Sequence, residues 1–441
     1  MMSPSSPRLD PVAGAAALVT RVALAFLLIG APLASVATRQ AVYTIVPIGT
    51  VLTLVAWLME PDMRGPGRLR HALLSLAGLG ALFFFAWTAL SLTWTPFAVG
   101  PSERFVKTTA TLTLVAIAIA FLSERTKTSN LYLLPIGAMA GASAMVVAAL
   151  LRWSPPIPAG EYSVLDRAAL GLILLFWPGV AGLLARRKNG WAAALSAVTF
   201  CAVAAVGTLL ALIALVLSAA TFVLARHGAA RIARAASGIW AALILLSPLL
   251  VVVLSRLAPA SMLSRWGQPI LAWGDIVAKD GWRTLLGHGF DSAARAVAAG
   301  YLPRNVPHSF LFEVWFELGV VGAMASAFIV ACAFRFAGAA PSPIAPSLLA
   351  GLLAALIVSA FGVGTAPIWW VTFLALDGLA FALVLRAQFK GRRPSARDIG
   401  GEGRTLNDGA RSVSSGGLRV RTPRTRPARS DAARRRALAS I

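Results

Sequence analysis

Across 441 residues the chain is 58% hydrophobic and only 13% charged, which excludes an ordinary soluble domain, where about a quarter of residues carry charge. A net charge of +23 would suit a nucleic-acid binder, but the arginines sit in short connectors and the C-terminal stretch, with no aromatics interleaved for base stacking. Cys201 and Cys332 both fall in apolar runs, so there is neither a disulfide framework nor a Cys/His metal pattern.

The first apolar run, 15–36, ends near Ala34-Ser35-Val36-Ala37, small residues of the kind that precede a signal-peptidase cut. It is long for a signal core and thinly flanked by charge, so we read it as an uncleaved span. Further runs of membrane-crossing length follow at 41–59, 72–94, 107–122, 131–151, 165–185, 190–206, 209–225, 236–256, 308–334, 346–364 and 367–386. Each must satisfy its own backbone polar groups in lipid, which a helix does. The stretch 190–225 is too long for one crossing and is divided at Gly207-Thr208.

Charge arbitrates that division. With the N-terminus inside, the inner connectors hold Arg64, Arg68 and Arg70; Arg125 and Lys127; Arg186, Arg187 and Lys188; Arg226, Arg231 and Arg234; and Arg335. Outward connectors are nearly free of Lys and Arg, except for Arg39, Arg104, Lys107 and Arg152. The positive-inside rule then holds in both halves, provided twelve spans are used. The expected fold is an all-α polytopic membrane protein of about twelve transmembrane helices with both termini cytoplasmic. Residues 1–256 carry spans one to nine, 257–307 form one large outward loop with short helices, and 308–386 carry spans ten to twelve. Residues 387–441 are rich in Arg, Gly, Ser and Pro and are read as a disordered basic tail that touches anionic lipid.

The outward loop is too long to be a mere connector. Ile270, Leu271, Trp273, Ile276 and Val277 have helical spacing within 268–279, Gly287-His288-Gly289 breaks the pattern, and a second short helix is expected over 292–299. Arg256, Arg265, Lys279, Arg283, Arg295 and Arg304 stand against Asp275, Asp280 and Asp291. Such a surface suits an anionic ligand, because guanidinium binds phosphate through paired hydrogen bonds at any relevant pH; contacts with lipid headgroups or with the aspartates would account for single arginines equally well. His308 follows Val306-Pro307 at the mouth of span ten, where a neutral imidazole can take a proton. Glu313 and Glu317, four residues apart, share a face of that span, and Asp377 lies in span twelve; ionisable groups within spans are functional suspects.

The run His308-Ser309, eight residues, then Leu318-Gly319, two residues and Gly322 resembles the signature of the O-antigen ligase and polymerase superfamily. Leu286-Gly287-His288-Gly289-Phe290-Asp291 with Ser292 and Arg295 is similar to the Gly-rich turn that closes the family's periplasmic loop. Leu165-Asp166-Arg167-Ala168, leading into Leu174-Leu175-Phe176-Trp177-Pro178, resembles its arginine-bearing mid-chain span. Ser264-Arg265 with Trp273 resembles its Ser-Arg-Trp element, although the Trp comes later than the family spacing.

The resemblance implies a glycosyltransferase of the bacterial inner membrane that moves glycan from undecaprenyl diphosphate to an acceptor hydroxyl, such as that of lipid A-core, at the periplasmic face. His308 would be the base, and Arg167 and Arg265 would stabilise the diphosphate. Arg283, Arg304, Arg295, Arg104 and Lys107 would assist in substrate binding. No cofactor or metal is implied: the first outward connector, residues 37–40, has no Asp or Glu of the kind that holds a metal in the other large class of lipid-sugar transferases. A polymerase of the same superfamily would use the same parts. A secondary transporter, the alternative from another class, would need an internal repeat; the large loop has no counterpart in the first half, while Pro178-Gly179 keeps that alternative open.

Overall fold

The structure, a computed structural model, describes residues 11–38, 40–61, 64–97, 99–122, 128–153, 162–257, 267–304, 306–364 and 367–388. Every regular element among them is a helix. Among the described residues ten helices are long and apolar enough to cross a bilayer, or eleven if one sharply bent pair counts as a span. The expected inner tail and the Ser264-Arg265 element lie outside the described residues.

The chain begins with α1 (Pro11–Ala37), which contains one wide turn at Phe26–Gly30, and α2 (Ala41–Met59). A short α3 (Arg64–Leu74) meets α4 (Leu76–Ser91) at a 71° bend. Ser75 makes that corner: its hydroxyl accepts from Gly78 N–H, capping α4. The span expected at 72–94 therefore starts later and is broken at its head. α5 (Pro101–Phe121) and α6 (Leu133–Leu150) follow.

α7 (Val164–Ala185) is the axis of the bundle. A reciprocal capping box starts it: Asp166 N–H donates to Ser163 Oγ at 3.0 Å, and Ser163 N–H to Asp166 Oδ2 at 3.2 Å. Every residue from Ala168 to Leu183 is buried, as befits a helix apolar on all sides. The outer helices bury far less and present side chains such as Leu18, Phe83 and Val216 outward, which in a membrane protein is the lipid-facing surface.

The division at Gly207-Thr208 is present. α8 (Asn189–Val206) ends at Gly207 in the left-handed conformation (φ 78°), and α9 (Leu209–Leu257) begins beyond it. The connector expected at 226–235 contracts to one break, at Gly228, after which the helix resumes. Ala229, Ala230, Ala233, Ala235 and Ala236 with Arg231 and Arg234 are strong helix formers, and only Gly228 departs from helical dihedrals (φ −179°, ψ 72°). At 49 residues α9 would be about 75 Å long if straight, against a hydrocarbon thickness of about 30 Å.

The polar segment holds α10 (Gln268–Asp280), α11 (Arg283–Leu286) and α12 (Ser292–Ala298). The helices expected at 268–279 and 292–299 are therefore present, and α11 is an addition. α13 (Phe310–Ala339), α14 (Ala345–Val358, extended by a wide turn Ser359–Val363) and α15 (Ile368–Gln388) complete the bundle.

Indole groups repair the helices where carbonyls lose their partners. Pro248 in α9 has no N–H for Ile244 O, and Trp315 Nε1 on α13 donates to that carbonyl at 2.7 Å. The Ser247 hydroxyl donates to the same carbonyl at 3.1 Å, and away from water these two donors stand in for the missing N–H.

Candidate functional site

The site is organised by a break in α13. Gly319 adopts φ 66°, ψ −162°, so the helix loses its regular hydrogen bonds there. The carbonyls just before it are re-used. His288 N–H donates to Phe316 O at 2.8 Å, Gly289 N–H to Glu317 O at 2.9 Å, and Trp87 Nε1 to Leu318 O at 2.9 Å. The Gly-rich turn is thus seated on α13 by main-chain bonds. A Cβ on Gly287 would lie 2.3 Å from Glu317 O, and one on Gly319 would lie 2.3 Å from Leu285 O. Both positions require glycine for backbone approach as well as for their positive φ.

A charge network fixes the next turn. The buried Glu317 carboxylate accepts from Asp291 N–H and Ala293 N–H, both at 3.1 Å, at the start of α12. Asp291, left-handed at φ 62°, pairs through Oδ1 with Arg104 on α5 and through Oδ2 with Arg295 Nε at 2.6 Å. Phe290 N–H donates to Ser91 Oγ at 3.1 Å, and its ring meets Phe105 edge-on. The turn is therefore clamped between α13 on one side and the α4–α5 connection on the other.

Beneath this clamp lies a cavity of about 520 Å³. Asp275, Lys279 and Asp280 from α10, Arg283 from α11, and His288 and Tyr301 supply its polar lining. The His288 ring stacks on Phe316 with centroids 4.2 Å apart. Its Nδ1 lies 3.1 Å from Phe316 O; a carbonyl can only accept, so Nδ1 carries the hydrogen. Nε2 then faces Asp280 Oδ1 at 3.7 Å. Burial pushes the Asp280 carboxyl above its ordinary range, opposed by the charges of His288 and Arg283. A cavity with two cations, two carboxylates and an imidazole can hold an anionic, hydroxyl-rich ligand and exchange a proton with it.

A second cluster lies at the same end of the bundle, around the turn between α14 and α15. Ser309 caps α13, accepting from Leu311 N–H at 3.2 Å, while its hydroxyl donates to Ala360 O at 2.5 Å. Tyr162, just before α7, donates to Gly362 O at 2.9 Å; burial, then the Asp166 charge, raises its phenol. The Arg167 guanidinium lies 5.5 Å from the Trp369 ring centroid, within cation–π range. Glu313 is buried close to Gly364. His308 is exposed, immediately ahead of the capping serine.

The expected site residues divide accordingly. Arg283 lines the cavity, Arg167 and His308 flank the α14–α15 turn, and Arg304 is exposed. Arg104 and Arg295 are engaged by Asp291, and Lys107 by Glu103 at 2.5 Å on the surface. Arg265 lies outside the described residues. Sequence reasoning did not single out the His288–Asp280 pair or the cap made by Glu317. The glycines around His288 marked the first as an unusual turn; Glu317 stood out as an ionisable residue within a span, but nothing in the sequence paired it with the start of α12. No protein-family model matches the chain, and a search of curated proteins finds no match.

Proposed function

We propose that this protein is a glycan transferase that takes its donor from a lipid diphosphate and passes it to an acceptor hydroxyl at one face of the membrane. One observation carries the reading. The cation-bearing cavity, His308 at the mouth of α13 and Arg167 at the mouth of α7 all lie at the same end of the bundle, linked through α13 and its bonds to the Gly-rich turn and the α14–α15 turn. In this reading the end in question is the periplasmic face of a bacterial inner membrane, and both termini are cytoplasmic. A break at Gly228 divides α9 into two crossings, and with the bent α3–α4 pair this gives twelve spans.

The chemistry asks for few groups. A sugar hydroxyl is a weak nucleophile, and His308, exposed and adjacent to the polar segment, is the base that takes its proton. The diphosphate leaves as an anion and needs charge neutralisation more than protonation, which Arg167, Arg265 and Arg283 supply. Lys279 and His288 extend the same surface.

The test is a lipopolysaccharide gel on cells lacking the gene, complemented with wild type or with His308→Ala. The expected result is a ladder lost on deletion, restored by wild type and not by the variant, with carrier-linked polymer accumulating. Residual single-repeat glycan would mark a polymerase of the same chemistry. Full transfer by a correctly inserted His308→Ala protein would remove the base assignment, and an unchanged ladder on deletion would remove lipopolysaccharide as the product.

A further inference from the structure

The cavity of about 520 Å³ beneath the clamp falls well inside the ~300–1,000 Å³ range of ligand pockets, and its walls are set for more than a bare anion. His288 is fixed: its main-chain N–H and its Nδ1–H both meet Phe316 O, and its ring lies on Phe316 at 13° from parallel. In the neutral ring Nε2 is therefore a bare acceptor on the Asp280 side. α10, which carries Asp275, Lys279 and Asp280, is fixed in turn. Trp273 meets Phe312 edge-on, and a Cβ on Gly274 would lie 3.1 Å from Ser255 Oγ on α9.

Three features of the lining narrow the ligand. The ionised carboxylates of Asp275 and Asp280 and His288 Nε2 only accept hydrogen bonds, so a ligand among them needs several donors, which a sugar offers and a fully ionised phosphate does not. Lys279 is exposed and, among the described residues, forms no ion pair, although Asp275 stands one turn before it on α10; a neutral sugar would leave that ammonium unanswered. Tyr301, 80% exposed, and the half-buried Phe97 supply rings for the apolar face of a pyranose.

We propose that this cavity is a subsite for one acidic sugar residue, a monosaccharide unit bearing a single carboxylate or phosphate. Its ring hydroxyls donate to Asp280 and to His288 Nε2, and its anionic group sits on Lys279. The inference rests on the transferase reading, in which Arg283 serves the diphosphate and leaves Lys279 to the charge of the sugar itself. Asp280, His288 and Lys279 are then the residues that set which glycan is handled.

The full chain in detergent would be titrated with glucuronic acid, glucose 6-phosphate, glucose and inorganic phosphate, with binding read by ligand-observed NMR. At least one acidic sugar is expected to bind about tenfold more tightly than glucose, as one charge-assisted bond implies, and more tightly than inorganic phosphate; whichever of the two leads names the anion. Lys279→Gln should abolish the preference over glucose, and Asp280→Asn should weaken every sugar about fivefold. Lys279 is exposed, so its variant stays informative if the half-buried Asp280 change impairs folding. Equal binding of glucose and both acids, a preference untouched by Lys279→Gln, or inorganic phosphate binding as tightly as the acidic sugars would overturn the proposal. The assay needs no transfer, so selective sugar binding with an unchanged lipopolysaccharide ladder on deletion would strike that product and keep the sugar site. A ladder lost on deletion with no sugar binding would strike the sugar site alone.

Discussion

Replacing Asp291 by Asn tests whether the Gly-rich turn is held by charge. Asn tolerates the left-handed backbone that this position adopts (φ 62°), so the substitution removes the charge and keeps the shape. The side chain is 2% exposed and its two oxygens serve Arg104 and Arg295. Breaking a buried pair by removing one partner costs about 3–5 kcal/mol. The Arg295 side chain is 37% exposed and Arg104 15%, and water that screens them lowers the expected cost to about 2–4 kcal/mol. That is a roughly 30- to 700-fold rise in the opening of the turn. Hydrogen exchange reads it directly, at Gly289 N–H on Glu317 O and at Ala299 N–H on Arg295 O. Arg104→Gln completes a double-mutant cycle in which the second change adds little after the first. Exchange at both amides within about threefold of wild type, or a cycle that is simply additive, would refute the clamp.

The other predictions address backbone and titration. Gly319→Ala forces a Cβ to within 2.3 Å of Leu285 O in a conformation almost confined to glycine, costing at least ~1–3 kcal/mol; limited trypsin digestion should then cut at Arg283 and Arg295 sooner. Trp315→Phe leaves Ile244 O, beside Pro248, with the Ser247 hydroxyl as its remaining donor, for a loss of about 0.5–1.5 kcal/mol read as a lower midpoint of thermal unfolding in detergent. Because burial raises the Asp280 carboxyl above 3.8, its contribution to stability is fully present below that pH and declines as pH rises through the raised value. Asp280→Asn should remove that decline from the pH profile of hydrogen exchange around His288, and an unchanged profile would refute the assignment.

Legibility followed how local the cause was. Apolar length located every long helix, and charge placed the division at Gly207 correctly, where a left-handed glycine ends α8. The same charge reasoning put a connector at 226–235; the break falls inside it, at Gly228, and is shorter than expected because alanine and arginine resume the helix at once. At the site, the spacing of His308, Ser309 and Gly319 marked the head of α13, and Gly287 and Gly289 marked a turn. That the turn sits on α13, and that Arg104, on a helix far away in sequence, closes on Asp291, depends on contacts between distant segments that no periodicity encodes. Arginines alike in the sequence thereby part company: Arg283 faces a cavity, while Arg295 is engaged by a carboxylate.

The seat of the Gly-rich turn is made of main-chain atoms: two N–H groups of the turn and two carbonyls of α13. Apart from the clamp made by Asp291 and Glu317, such a joint places little demand on which side chains it carries, and a strict demand on three glycines. Side chains around the cavity can therefore drift, and with them the preference for one ligand over another, while the loop keeps its station. In a saturation library of this segment, positions 287, 289 and 319 should be intolerant along with the clamp residues Asp291 and Glu317, and neighbours such as Lys279 and Tyr301 the places where new specificities arise.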